Sequence, residues 1–493
     1  MNIFIYFLPE LFFFTSISIF FVTSIIFSLS TLLNFPNITI NNIFLSIISL
    51  VYTFFLFLNT SVYYVDFSII YKNKSNLLTI ELFIVFTIII LLTSINYNNK
   101  YKLNFPEYVL FLLTALGTII MFLNVINVLF IYILLELQNI LVSIFICIKR
   151  YNRYSIEASI KYFILGSFSS LIFLYGFSLI YGCSGFLSLH DISICLEYMD
   201  QLENVLVIKT MYISFICILI GLLFKIYSAP FHFWLSDIYE GAPTSVLVYI
   251  STIQLLFMVY FFLKIYYYLF FDWLTYKNIL IVFIAVLTLI LGSIGTLIQS
   301  KIRKLLSYSA ITMNGYLLFT LVNNNIYLLE TSLMYLFVYI LSILLFFIVL
   351  LNTFIKNKTL VSLNDLFNLS QLQAPISVLM TLLLFSLSGL PPFIGFISKL
   401  FWLKNFFIEY NLFIFLFVFI FMIVSFYYLR LIKNLYVNFK TLYSDITYIS
   451  EYNYISIVCI SFLQISLFYL ILNNSIIRDY LHLLTLDYIL NVL

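Results

Sequence analysis

Nearly the whole chain is a succession of apolar runs about as long as a bilayer is thick, separated by short polar loops. A helix needs about 20 such residues to cross the hydrocarbon layer. With no water there, every backbone N–H and C=O must find its partner inside the protein. The pattern therefore dictates an all-α polytopic membrane protein. About fourteen spans are read, near residues 10–31, 40–60, 77–95, 107–124, 127–148, 159–182, 206–227, 244–270, 278–299, 305–322, 327–352, 375–398, 411–436 and 454–473. A transmembrane barrel is excluded, because its strands alternate apolar and polar residues over about 10 positions. Of 493 residues, 64% are hydrophobic and 9% charged, too few charges to cover a soluble protein of this size.

Two runs are interrupted. Lys225 lies within LIGLLFKIYSAPF, with Pro230 five positions later, and Lys399 follows a Gly389–Pro392 break. A lysine at bilayer depth is costly and marks a functional path. A nearby proline frees backbone groups that only protein or trapped water can satisfy. Segments 229–240 and 392–407 read as the second halves of broken helices seven and twelve. Two such breaks, one in each half of the chain, are the pattern of a transporter built from repeats.

Other polar residues in the spans are weighed in the same way. Glu136, beside Gln138 and Asn139 in the fifth span, must be protonated, paired or wetted. Its readings are a modulator of a buried lysine's charge or a structural hydrogen bond. Lys225 reads as a switchable proton carrier or as a side chain snorkelling to an interface. Glu157 and Lys161 form an i, i+4 pair that either feeds protons or is a surface ion pair. His232 relays protons or donates a hydrogen bond in the break. Asp237 and Glu240 read as caps on the broken segment. Gly166, Ser167, Ser169 and Ser170 form a small-residue packing face. Lys264 and Lys404 read as interfacial anchors, and the tail 474–493 as an interfacial segment.

Net charge is +3, with the basic clusters in short loops between spans, too little to imply nucleic-acid binding. Five cysteines without a C-x-x-C pair and three histidines offer no metal or iron–sulfur site. Any redox chemistry belongs to another subunit. Basic clusters follow spans three, five, nine, eleven and thirteen, and the opposite loops are neutral or acidic, as in His190–Glu203. The positive-inside rule then puts both termini on the other side, with Lys72 and Lys74 as the exception. With Phe at 57 and Tyr at 40 against Gly at 12 and Pro at 8, codon bias points to an AT-rich genome such as an organelle's. The start lacks the features of a transit peptide.

The motifs LLELQNI, EASIKYFILGSFSS, FHFWLSDIYEGAPTSV, KIRKLLSYSAITMNGY and SGLPPFIGFISKLF, in that order, resemble the chain 2 family of antiporter-like subunits in NADH–ubiquinone oxidoreductase, respiratory complex I. The resemblance covers about residues 105–405, and its most specific stretch is D-I-Y-E-G-A-P-T. It implies two inverted five-helix repeats: N-terminal helices in 1–104, repeat one in 105–270, repeat two in 278–440, and a last helix with its tail in 441–493. It assigns Glu136, Lys225 and Lys399 to the proton relay; Glu157, Lys161, His232 and Gln254, from their own positions, read as secondary relay or supporting groups. It implies no cofactor in this chain, with NADH, FMN, iron–sulfur clusters and ubiquinone in partner subunits. Chains 4 and 4L would be neighbours, cardiolipin a bound lipid, and the mitochondrial inner membrane the location, with the termini on the intermembrane-space side.

Two departures stand out. The family's span-eight lysine is replaced by Gln254 and Leu255, and its histidine before Gly315-Tyr316 by Met313-Asn314. A subunit of a cation/proton antiporter and a non-conducting spacer of the membrane arm therefore remain as alternatives.

Overall fold

The structure, a computed structural model, describes residues 8–29, 36–59, 80, 83–91, 106–149, 151–199, 205–270, 277–322, 325–352, 362–366, 370, 374–409 and 413–436. The span expected at 454–473 and the tail after it lie outside the described residues. The helices are α1 (Leu8–Leu29), α2 (Pro36–Asn59), α3 (Pro106–Asn124), α4 (Val128–Ile146), α5 (Arg153–Ser184), α6 (Leu189–Met199), α7 (Val205–Lys225) and α8 (Phe233–Gly241). They continue as α9 (Thr244–Tyr249), α10 (Leu255–Phe270), α11 (Lys277–Ile298), α12 (Ile302–Thr320), α13 (Ile326–Asn352), α14 (Ala374–Ser388), α15 (Ile394–Glu409) and α16 (Ile414–Tyr436). Among the described residues, 8 helical stretches are long and apolar enough to cross a membrane, and three shorter ones are equally apolar. The protein is a multi-pass, all-α membrane protein.

The enclosed centre is the run α9–α10 together with α13, and the other helices pack around it. On α5 the residues Ile160, Phe163, Ile164, Phe168, Leu171 and Tyr175 leave an exposed apolar stripe at helical spacing, which suits lipid rather than water. The opposite face meets α7 at close range: a Cβ on Gly176 would stand 2.8 Å from Ser214 O, and one on Gly221 3.0 Å from Ser169 O. Within the loop read as acidic, α6 forms instead; Ser188 Oγ accepts from Asp191 N at 3.1 Å and caps its first turn.

Two features recur along the chain. An isolated bridge pairs Asn127 with Ser188 around α4–α5, and an equally spaced bridge pairs Lys301 with Ser362 around α12–α13. The breaks also share one design. At the end of α7, Ser228 N bonds Leu223 O at 3.1 Å and Tyr227 N bonds Phe224 O at 3.3 Å. At the end of α14, Leu390 N bonds Phe385 O at 3.4 Å and Gly389 N bonds Ser386 O at 3.2 Å. Each is a Schellman C-cap, which needs a left-handed residue just past the helix. Tyr227 (φ 63°) and Gly389 (φ 76°) supply it, and a proline follows three residues later in both, Pro230 and Pro392.

Candidate functional site

Lys225 is the last residue of α7 and only 4% exposed. Its Nζ donates to Asn139 Oδ1 on α4 at 2.7 Å. Glu136 lies three residues earlier on α4, hence on the same face. Its carboxylate accepts a hydrogen bond from Ser170 Oγ on α5. Among the described residues no ion pair joins it to Lys225, whose partner Asn139 lies on the same face of α4, about one turn on. The small-residue stretch of α5 is therefore more than a packing face. Ser170 holds the carboxylate, and at Gly166 a Cβ would already sit 3.4 Å from Asn139 Oδ1. Asn314, where the family's histidine was expected, reaches across from α12 and donates to Ile226 O in the unwound segment.

A second network is neutral. Gln254 ends a π-helical turn, Ile250–Gln254, between α9 and α10; such turns commonly mark functional positions. Gln138 Nε2 donates to Gln254 Oε1 at 2.8 Å and to Tyr249 Oη at 2.7 Å. Gln254 Nε2 donates to Tyr162 Oη at 3.3 Å, and Thr118 Oγ1 to Gln138 Oε1 at 2.5 Å. Among the described residues, no amine or carboxylate takes part. Gln254 and Gln138 are both fully buried.

Lys399, 5% exposed, is held differently. It sits on α15, and its Nζ donates to Leu387 O at 3.0 Å and Ser388 O at 2.9 Å, the last carbonyls of α14. The Phe421 ring stands 5.4 Å away and the Tyr335 ring 6.0 Å, near enough for cation–π attraction. Beside it, a small polar cavity is lined by Ser309, Thr312, Tyr335, Tyr339, Tyr427 and Tyr428. Treated from sequence as counterparts, the two lysines occupy different positions. Lys225 precedes its left-handed residue by two, whereas Lys399 follows its own by ten.

Several sequence expectations change in the structure. Lys264 is no interfacial anchor: it is 6% exposed, and its Nζ donates to Phe122 O, Leu123 O and Val125 O at 3.2, 3.3 and 2.6 Å. Those carbonyls end α3 and enter its loop, so an ammonium with three donors meets three acceptors. Asp237 and Glu240 are not caps but ion-pair partners. Lys161 Nζ lies 2.8 Å from both Asp237 and Glu157. Lys304 Nζ lies 2.7 Å from Glu240, and Lys301 also pairs with Glu240. His232 is buried, and Lys404 is exposed, in keeping with an interfacial anchor. Two buried carboxylates went unnoticed in the sequence, Glu10 and Glu330; Asn124 Nδ2 donates to Glu10 Oε1 at 3.3 Å. Both lie in apolar runs, the signal that led to Glu136.

A family model described as "NADH:quinone oxidoreductase/Mrp antiporter, TM" matches residues 125–425. The NADH-quinone oxidoreductase subunit N of Ruthia magnifica is 33% identical over 360 residues, covering 71% of this chain and 72% of its own. The NADH-ubiquinone oxidoreductase chain 2 of Marchantia polymorpha is 29% identical over 440 residues, 87% of this chain and 88% of its own. Among solved structures, a chain of respiratory complex I from Thermus thermophilus superposes with a TM-score of 0.72 at 22% identity, covering 94% of this chain and 98% of that one, a likeness of fold.

Proposed function

The chain belongs to the NADH:quinone oxidoreductase/Mrp antiporter family, and from that premise we propose that it conducts protons as a membrane-arm subunit of respiratory complex I. The observation that carries this reading is Lys225, an amine enclosed at a helix break and bonded to Asn139, one turn along α4 from Glu136. The carboxylate's approach stabilises the ammonium, and its retreat onto Ser170 destabilises it, so the position of one side chain loads or unloads the other. Lys399 is the exchange group of the second half. Glu157 and Lys161 feed the path, while His232 and Gln254 support it.

The same reading places electron transfer from NADH through FMN and iron–sulfur clusters to ubiquinone in other subunits. It takes residues 105–270 and 278–440 as two inverted repeats, a division supported by the paired bridges and paired Schellman caps. Neighbouring subunits are of the chain 4 and 4L type, with cardiolipin between them. The membrane is the mitochondrial inner membrane, with both termini towards the intermembrane space.

The test is Lys225→Ala in the assembled complex, in native membrane vesicles, with NADH oxidation and vesicle acidification measured together. Proton transport falls by about a hundredfold, the usual contribution of one proton-transfer group. Undiminished pumping in a fully assembled complex refutes the assignment. One observation favours a second reading, a non-conducting spacer: the neutral Gln138–Gln254–Tyr162 chain where a lysine was expected. That spacer would tolerate Lys225→Ala with full pumping. An antiporter subunit would instead copurify without flavin and iron–sulfur partners.

A further inference from the structure

The recurring bridges and caps align the chain with itself. Because the bridges Asn127–Ser188 and Lys301–Ser362 are equally spaced, α4–α5 map onto α12–α13 without a gap, and Lys161 on α5 falls on Tyr335 of α13. The left-handed residues Tyr227 and Gly389 align the breaks, and the residue ten positions beyond each is Asp237 in the first and Lys399 in the second. The two alignments are independent, and they agree in space. Lys161 and Asp237 touch at 2.8 Å, and their counterparts Tyr335 and Lys399 also meet, with the ammonium 6.0 Å from the ring centre. The position of Lys225 falls on Leu387, and that of Asn139 on Met313, both buried and apolar.

We propose that Asp237, held by Lys161, is the gate at the mouth of the first half-channel, the place that Lys399 takes in the second. The inference rests on the proton-conducting reading above. Asp237 and Lys399 lie towards opposite ends of α12. Lys304 in its first turn is 3.9 Å from Asp237, whereas Tyr316, near its far end, packs 5.3 Å from Trp402, three residues past Lys399. Asp237 and Lys161 have 42% and 38% of their side chains exposed beside the charged start of α12, while Lys399 is enclosed. The groups facing the pair are Glu157 on α5, Glu240 on α8, and Lys301 and Lys304 at the start of α12.

Inward from the pair the surroundings turn polar and unsatisfied. Trp234, three residues before Asp237 and on the same face of α8, packs 5.7 Å from Tyr162 and 4.9 Å from Tyr227. Among the described residues, Trp234 Nε1, Tyr227 Oη and Asn139 Nδ2 are buried without a protein partner, all in or facing the stretch between Asp237 and Lys225. Buried polar atoms of this kind are normally satisfied by ordered water. Asp237 takes a proton from the aqueous side as it leaves Lys161. It returns to the ammonium once that proton has passed inward towards Lys225.

The test compares Asp237→Asn, Lys161→Gln and Asp237→Glu with Lys225→Ala, in the assembled complex in sealed membrane vesicles. Proton uptake and NADH oxidation are followed across pH. Asp237→Asn and Lys161→Gln each lower proton transport by about tenfold, less than a buried relay group because water can partly stand in for a surface carboxylate. Asp237→Glu restores the parental rate and pH profile. Parental pumping in either Asp237→Asn or Lys161→Gln overturns the gate, as does a loss that Asp237→Glu does not rescue. If Asp237→Asn fails to assemble, Lys161→Gln decides alone, since it opens the same pair from the other helix. A silent Asp237→Asn beside a disabled Lys225→Ala removes only the gate. When both are silent, the proton-conducting reading falls with it.

Discussion

The two breaks are built on the same backbone motif, yet they hold their lysines by different means. Lys225 ends the first half-helix and leans on a side chain, Asn139, with a carboxylate nearby that already has another partner in Ser170. Lys399 belongs to the second half-helix and is bonded to backbone carbonyls of the first. Side-chain partners can rotate away at the cost of one hydrogen bond, whereas a helix end cannot leave without unwinding. The first break is therefore suited to switching, and the second to holding its ammonium across a gap between two helix ends. A common backbone can thus carry two electrostatic designs.

The change with the largest expected effect attacks the first design. Asn139→Leu removes the acceptor from Lys225 while keeping the branched outline of the side chain. A buried ammonium that loses a neutral hydrogen-bond acceptor is destabilised by about 1.5–3 kcal/mol. The lysine responds by staying neutral or by drawing Glu136 away from Ser170. Either outcome stops the switch, and proton transport in vesicles falls to the level of Lys225→Ala while the complex still assembles. Retention of half the parental rate would show that Asn139 is only a packing neighbour.

A smaller effect is expected at the second break. Gly389 holds its left-handed conformation without penalty, and a Cβ there would stand 2.7 Å from Lys399 Cδ. Gly389→Ala adds about 1–2 kcal/mol of backbone strain and pushes Lys399 off Leu387 O and Ser388 O. The solubilised complex should lose activity faster on heating, with pumping per NADH reduced. Tyr227 already bears that strain in the first break, so Tyr227→Phe, which keeps the Cβ and the buried ring at the matching position, should leave backbone and stability nearly unchanged. Equal sensitivity at the two positions would mean that backbone strain is not what separates the breaks.

What could be read from the sequence follows the range of the forces involved. The breaks were legible because Pro230 and the Gly389–Pro392 run act on their own helix within a few residues. The depth of Lys225, Lys399 and Glu136 was legible from the apolar residues around them. The partners were not. Asn139 lies 86 residues from Lys225, and Ser170 lies 34 from Glu136; only helix packing brings these together. The alignment of Asp237 with Lys399 was hidden as well, because the four residues the caps require tolerate almost any side chain except at the left-handed position and the proline. Lys264 misled because its aromatic neighbours look the same whether they face headgroups or a protein core.

Lys264 sharpens the comparison from outside both breaks. It is as deeply buried as Lys225 and Lys399, but all its bonds go to carbonyls at the end of α3, where the helix dipole favours a cation. Among the described residues, no carboxylate or amide side chain shares the ammonium with those carbonyls, which fits a fixed charge rather than a switching one. Lys264→Met leaves three carbonyls without this donor and costs about 1–3 kcal/mol. The expected result is a complex that disassembles at lower temperature while each surviving complex pumps the parental number of protons per NADH. A drop in that ratio would instead place Lys264 on the proton path, as the displaced substitute for the span-eight lysine, and burial with carbonyl partners would no longer distinguish a fixed ammonium from a working one.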